Sequence, residues 1–250
     1  LTQSNRGLSG ARNRALEHIR GKYILFVDSD DTLRKGAVQA LLSKAMETNA
    51  DIVQGGFVNI TGHGLVFGRT GYREGSVDET GQTPYGMAWG KVIRSSLFAH
   101  LKFPEGYWFE DTIFAFCIAP FQPTHYLIPE YVCNYTRNPL GITLRSRKKA
   151  KAVDTVWIMR YLMAELARKK EVHSAQVQQL LLQHIALAWY RLSRLDEAVQ
   201  QAAFLVMQQM YAGYYTSQDI FVQDSRLLAL HQALTAKSYG QYLAAAEKLT

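Results

Sequence analysis

Three aspartates fall within four positions at Asp28-Ser29-Asp30-Asp31, directly after the apolar run Tyr23-Ile24-Leu25-Phe26-Val27. Two carboxylates one residue apart can share a hard divalent cation, which prefers oxygen ligands and offsets the charge of a diphosphate. The plain alternative is a helix N-cap in which Asp31 or Thr32 satisfies free backbone amides. A cap needs one acid, not three. A second acidic pair, Glu110-Asp111, follows Gly106-Tyr107-Trp108-Phe109. A carboxylate at the start of a helix can take a proton from a hydroxyl, or simply complement the helix dipole. The histidines form no H-x-x-x-H pattern, and Cys117 and Cys133 lack C-x-x-C spacing. Both cysteines read as buried thiols.

The elements that position these acids alternate. Ser9–Arg20 reads as a helix with a stripe of Ala11, Ala15, Leu16 and Ile19, ended by Gly21. Tyr23–Val27 reads as a strand buried on both faces of a parallel sheet, because it is continuously apolar and β-rich. A helix over 35–48 follows, with Val38, Leu41, Leu42, Ala45 and Met46 facing inward, then a strand over 51–57. Helix and strand in alternation predict an α/β sheet covered by helices. Residues 62–86 read as hairpins and loops, 95–100 and 110–119 as short helices, and 124–128 and 131–135 as two short strands. From Arg145 the strand signals stop and amphipathic helices run on, with Val153, Val156, Trp157 and Tyr161 at helical spacing. A boundary is therefore set between 1–144 and 145–250.

Composition narrows the function class. The 250 residues are 48% hydrophobic with only two cysteines, which excludes a disordered chain and a disulfide scaffold. No apolar run approaches the ~20 residues of a membrane helix, and no secretory h-region precedes Asn13, so a cytoplasmic setting is expected. The net charge of +7 is concentrated. Arg145, Arg147, Lys148, Lys149, Lys151, Arg160, Arg168, Lys169 and Lys170 face only Asp154, Glu165 and Glu171. Such a run is either a solvated helix face or a surface for an anionic partner. It carries no aromatic platform of a nucleic-acid module, so no nucleic-acid partner is expected.

Asn5-Arg6-Gly7-Leu8-Ser9-Gly10-Ala11-Arg12-Asn13, then Gly21-Lys22-Tyr23-Ile24-Leu25-Phe26-Val27-Asp28-Ser29-Asp30-Asp31, resembles the family 2 glycosyltransferases. So do Ala88-Trp89-Gly90-Lys91-Val92-Ile93-Arg94, the Glu110-Asp111 pair, and Tyr131–Thr143 with Tyr135, Arg137, Gly141, Ile142 and Thr143. The four segments stand in the family's order over residues 5–143. Asp28-Ser29-Asp30-Asp31-Thr32-Leu33 also satisfies the D-x-D-x-T-L nucleophile motif of haloacid-dehalogenase-like phosphatases. In those enzymes, however, this strand opens the domain, whereas here a helix precedes it.

The resemblance implies a GT-A (Rossmann-like) mixed sheet flanked by helices, followed by an α-helical C-terminal extension. It implies inverting transfer from a nucleotide-sugar donor, a UDP-sugar, to a glycan or lipid-linked acceptor, in bacterial polysaccharide biosynthesis. Asp30 and Asp28 would hold Mn²⁺ or Mg²⁺ and, with Arg12, Asn5 and Arg137, bind the nucleotide-sugar. Asp111 would be the catalytic base, with Glu110 as second choice, and Trp89 and Trp108 would stack on sugar faces. A basic face would rest peripherally on the anionic inner leaflet of the plasma membrane. The family's opening strand and its N-D-G-S-x-D segment have no counterpart here, which implies an N-terminally truncated domain, lacking its first strands, whose central strand exposes an edge. A non-catalytic remnant and a phosphatase using Asp28 and Asp30 are the two rival readings.

Overall fold

The structure is a computed structural model that describes residues 2–84, 86–121, 123–138, 141, 149–170 and 172–249. Ile142 and Thr143 of the last family-like segment, the boundary at Arg145, and Arg145, Arg147, Lys148 and Glu171 of the basic run lie outside the described residues. The chain divides into two compact units, Leu1–Phe103 with Phe121–Gly141, and Pro104–Pro120 with Ile142–Thr250. The segment bearing Glu110-Asp111 thus belongs with the helices.

The first unit is built on a mixed sheet. Its strands are β1 (Tyr23–Leu25), β2 (Thr32–Leu33), β3 (Ile52–Ile60), β4 (Val66–Thr70), β5 (Gly75–Ser76), β6 (Lys91–Arg94) and β7 (His125–Thr136). The order is β1-β6-β3-β7-β2, with β4 added to β3 and β5 to β7. β3 and β7 run parallel, whereas β1–β6, β3–β6 and β2–β7 are antiparallel. This corrects the expectation for Tyr23–Val27. β1 is short, half-buried and last in the order, and it pairs antiparallel to β6. The fully buried centre is β3 instead, whose first seven residues are all buried.

Among the described residues this unit has three α-helices, α1 (Gly7–Leu16), α2 (Ala37–Thr48) and the single turn α3 (Val77–Thr80), and a 3-10 turn at Ser95–Phe98 where the sequence reading has a short helix. On α2 the inward stripe is Ala37, Leu41 and Ala45, packed on Val53, Val92, Ile128 and Val132. Val38 and Met46, expected inside, point outward, so the buried face is rotated from the sequence reading. The two strands expected at 124–128 and 131–135 are one strand. Between Gln54↔Leu127 and Gly56↔Tyr131, β3 advances two residues while β7 advances four, and exposed Pro129 and Glu130 occupy the bulge. Gly55 lies opposite. A Cβ there would sit 2.5 Å from Val132 Cγ1 and 2.8 Å from the Glu130 carbonyl oxygen, so only glycine fits.

The second unit is helical: α4 (Asp154–Arg168), α5 (Ala175–Leu192), α6 (Glu197–Ala212), α7 (Ser225–Thr235) and α8 (Tyr239–Glu247). Ser174, Asp224 and Ser238 cap α5, α7 and α8 through side-chain oxygens, each satisfying an otherwise free amide. The core face of α4 is Val156, Ile158, Met159, Leu162, Met163 and Leu166. Trp157 and Tyr161, expected in that stripe, are about 40% exposed (39% and 42%). A buried polar chain links three elements: Gln178 donates to Tyr211 Oη, which lies 2.7 Å from His231 Nδ1. The segment Glu110–Ala119 forms a first turn and then a π-helical stretch over Phe114–Ile118.

Candidate functional site

The acidic cluster leaves the end of β1 and leads into β2, not into a helix. α2 starts only at Ala37, behind Gly36 at φ +81°, with no side-chain cap. The capping alternative for Asp31 and Thr32 therefore falls, and the cluster has another use. The end of β7 lies against it. Thr136 N–H donates to Asp31 Oδ1 at 2.8 Å, and Asn138 Nδ2 donates to Asp30 Oδ2 at 3.1 Å. Asn134 Nδ2 donates to Thr32 Oγ1 at 3.1 Å. Arg12, buried on α1, donates from Nη2 to Asp28 Oδ1 at 2.8 Å. Its guanidinium also stands 5.2 Å from the Phe103 ring centroid and 5.7 Å from that of Phe26.

The charges are unevenly served. Asp28 has Arg12, and Asp30 is exposed to solvent. Asp31 is buried, and its Oδ2 has no partner among the described residues. Burial lifts the Asp31 carboxyl to about 6, helped by the neighbouring charges of Asp30 and Asp28 and opposed by the Thr136 amide. This all-oxygen donor set suits a hard divalent ion. Among the described residues no group of three or more His, Cys, Asp or Glu is arranged to hold a metal ion.

Other sequence candidates of this unit are placed as follows. Asn5 caps the start of α1, its Oδ1 accepting from Gly7 N–H at 3.0 Å. Arg137 is exposed in the segment touching the acidic cluster, with its guanidinium 5.9 Å from the Phe67 ring centroid. Trp89 is in the core. It is 3% exposed, stacked on Tyr135 at 5.2 Å and edge-on to Phe57 at 5.1 Å, so its faces are occupied by protein rather than open to a sugar. Asn134, Thr136 and Asn138 were not among the sequence candidates. Nothing in the spacing of Asn134-Tyr135-Thr136 points back to Asp30 and Asp31.

In the helical unit, Glu110 is buried and Asp111 half-buried. They follow Phe109, a non-glycine residue at φ +66°. That conformation costs an L-residue roughly 1–2 kcal/mol. Several contacts hold the segment. Trp108 N–H donates to Asp154 Oδ2 at 2.8 Å, and Lys151 Nζ bridges the Gly106 carbonyl at 2.6 Å and Asp154 at 2.8 Å. The Arg191 guanidinium lies 3.7 Å from the Phe109 ring centroid, and its Nη1 donates to Thr155 Oγ1 at 2.8 Å. A desolvated cation–π contact contributes ~2 kcal/mol, the same size as the backbone strain. Trp108 is half-buried, with its ring edge-on to Phe109. Lys151, Asp154 and Arg191 were not sequence candidates.

Known proteins agree with this description. Residues 1–101 match the model of glycosyl transferase family 2. The chain is 25% identical over 235 residues to glycosyltransferase GlyA of Streptococcus pneumoniae, covering 84% of this chain and 32% of GlyA. It is 43% identical over 54 residues to glycosyltransferase YibD of Escherichia coli, 22% of this chain and 16% of YibD. The chain thus spans a third or less of the length of these relatives. In fold it resembles S. aureus TarS 1–349 in complex with UDP-GlcNAc, with a TM-score of 0.74 at 17% identity, over 99% of this chain and 73% of that TarS 1–349 chain. The complex of TarS with UDP gives 0.65 over 96% and 70%. The phosphatase alternative finds no support in these matches or in an antiparallel β1 at the end of the sheet order. The mixed sheet with an uncapped acidic cluster after β1 is thus a fold like that of TarS, and residues 1–101, which carry that cluster, match the glycosyl transferase family 2 model.

Proposed function

We propose that this protein transfers a sugar from a UDP-sugar to a glycan or lipid-linked acceptor with inversion. The observation that carries the reading is the acidic cluster: it is held in place by Arg12, Thr136 and Asn138, yet it caps no helix and keeps an unpartnered buried oxygen on Asp31. Asp30 and Asp28 would hold Mn²⁺ or Mg²⁺, which when bound supplies positive charge against the diphosphate leaving group. Arg12, by pairing with Asp28, fixes which carboxylate oxygens face outward. Arg137 adds a cation on the segment beside Asp30.

Asp111 takes the proton of the acceptor hydroxyl as its oxygen attacks the anomeric carbon. The new glycosidic bond forms as the bond from that carbon to the phosphate oxygen breaks, and UDP departs with the electron pair. One displacement inverts the centre. Glu110 is the second choice, because it is the more buried of the two and so less open to an acceptor hydroxyl. Trp108, beside the base, is the sugar-stacking side chain of this reading. The setting is bacterial polysaccharide assembly. No helix among the described residues is long and apolar enough to cross a membrane. Exposed Arg160, Arg168, Lys169 and Lys170 are the cations that would meet an anionic inner leaflet.

Calorimetric titration of the chain with UDP, with and without Mn²⁺, tests the reading. The expected outcome is saturable binding that needs the metal and loses that dependence in Asp30→Ala. Binding that is absent, or equal in the variant and the native chain, overturns it.

A further inference from the structure

The proposed reaction gives Asp111 a task but gives α5 none. We propose that Arg191, near the end of α5, is a positioning residue for Asp111, acting through the ring of Phe109; this rests on the assignment of Asp111 as the base.

Arg191 joins three elements of the helical unit. Its guanidinium lies 3.7 Å from the Phe109 ring centroid, and its Nη1 donates at 2.8 Å to the buried Thr155 hydroxyl on α4. α4 and α5 therefore fix the plane against which the ring is held. Phe109 needs such a hold, since its φ of +66° is unfavourable for any side chain but glycine's hydrogen. Its carbonyl then accepts from Thr112 N–H at 3.0 Å, and the Asp111 carbonyl accepts from Phe114 N–H at 2.9 Å. The conformation of Phe109 thereby sets the turn from which Asp111 projects. A methylene chain lacks the planar surface that stacks on a ring, so Lys is a poor substitute for Arg here.

The surrounding charges fit this role. Burial pulls the Arg191 pKa down to about 10, and the negative charge of Asp111 opposes that fall, so the guanidinium stays a cation at neutral pH. Lys151 and Asp154, which hold Gly106 and Trp108, pair with each other. Arg191 is thus a cation of α5 that interacts with Asp111.

The test uses the full chain with UDP-GlcNAc and Mn²⁺, reading UDP release, together with amide hydrogen exchange of residues 107–112. Arg191→Met should lower kcat about 10- to 100-fold, with donor KM within about three-fold, as expected when a reacting group is misaimed by ~1 Å. Arg191→Lys should recover only part of the loss. Phe109→Gly keeps the left-handed turn and the Arg191–Thr155 bond but removes the ring. It should lower kcat similarly, and the double variant should be no worse than either single one. Exchange at 107–112 should quicken at least about ten-fold in Arg191→Met, with α6 to α8 unchanged. Wild-type kcat in Arg191→Met, or losses that multiply in the double variant, overturns the proposal. If the native chain releases UDP and Asp111→Asn releases it at the same rate, the base assignment has failed. The exchange result then decides alone whether Arg191 holds the segment, and unchanged exchange refutes it.

Discussion

Replacing Asn13 separates a structural from a ligand-binding role within the family-like segment at the start of the chain. Asn13 is 4% exposed on α1. Its Oδ1 accepts from Phe103 N–H at 2.8 Å and its Nδ2 donates to the Phe103 carbonyl at 2.8 Å, across 90 residues of sequence. Phe103 is itself buried, within 5.5 Å of Phe26 and 5.7 Å of Phe98, ring centre to ring centre. Losing two such bonds from buried backbone groups costs about 1–2 kcal/mol each, so Asn13→Ala should lose about 2–4 kcal/mol in urea unfolding. Asn13→Asp sharpens the test. Its carboxylate accepts from the amide but sets its second oxygen against the Phe103 carbonyl, which raises its folded pKa above the unfolded value. The resulting cost is full above the folded pKa and vanishes below the unfolded one, so this variant should recover stability as pH falls towards ~4. A loss under ~0.5 kcal/mol in Asn13→Ala, or a normal stability with UDP binding abolished, would refute the structural account.

His184 predicts an acid limit for the helical unit. Its Nδ1 lies 2.9 Å from the Leu180 carbonyl and its ring 4.8 Å from that of Phe116, and burial lowers its pKa to about 4. A histidine with a depressed folded pKa stabilises fully above its unfolded pKa of about 6.5 and loses that contribution as pH falls towards 4. The loss is about 3 kcal/mol by pH 4. His184→Gln should flatten the slope of unfolding free energy over that window, and an unchanged slope would assign the acid sensitivity elsewhere. Gly55→Ala should cost about 1–3 kcal/mol in the sheet unit, because the new methyl meets Val132 Cγ1 at 2.5 Å. A neutral result in thermal unfolding would mean that the bulge yields.

What is local was readable, and what is long-range was not. The run Tyr23–Val27 and the acids after it are contiguous, so their type and their place at a strand end follow from a handful of residues. Strand direction does not. A continuous apolar run suits a parallel centre, yet β1 is an antiparallel terminal strand. The outward turn of Val38 and Met46 has the same origin, since α2 carries more apolar residues than one face can bury. The sequence reading has two strands at 124–128 and 131–135, and between them Pro129 removes a ladder donor. The break was avoided by a bulge on β7, made possible by a glycine at 55 on its neighbour.

The same distinction governs the site. Asp28, Asp30, Glu110 and Asp111 are named by local spacing, but each is held by groups that spacing cannot connect to it. Asp30 and Asp31 are fixed by Asn138 and Thr136, more than a hundred residues downstream. The segment before Asp111 is fixed by Asp154 and Arg191, which stand in helical text with no chemical signature of its own. A carboxylate acquires its direction from such partners, because a residue at φ +66° keeps that conformation only where its surroundings over-determine it. The helices of the second unit therefore do more than bury their own apolar faces. Asp154 and Arg191 hold the strained segment that presents the candidate base, and the chain's second acidic motif depends on text that looks structurally bland.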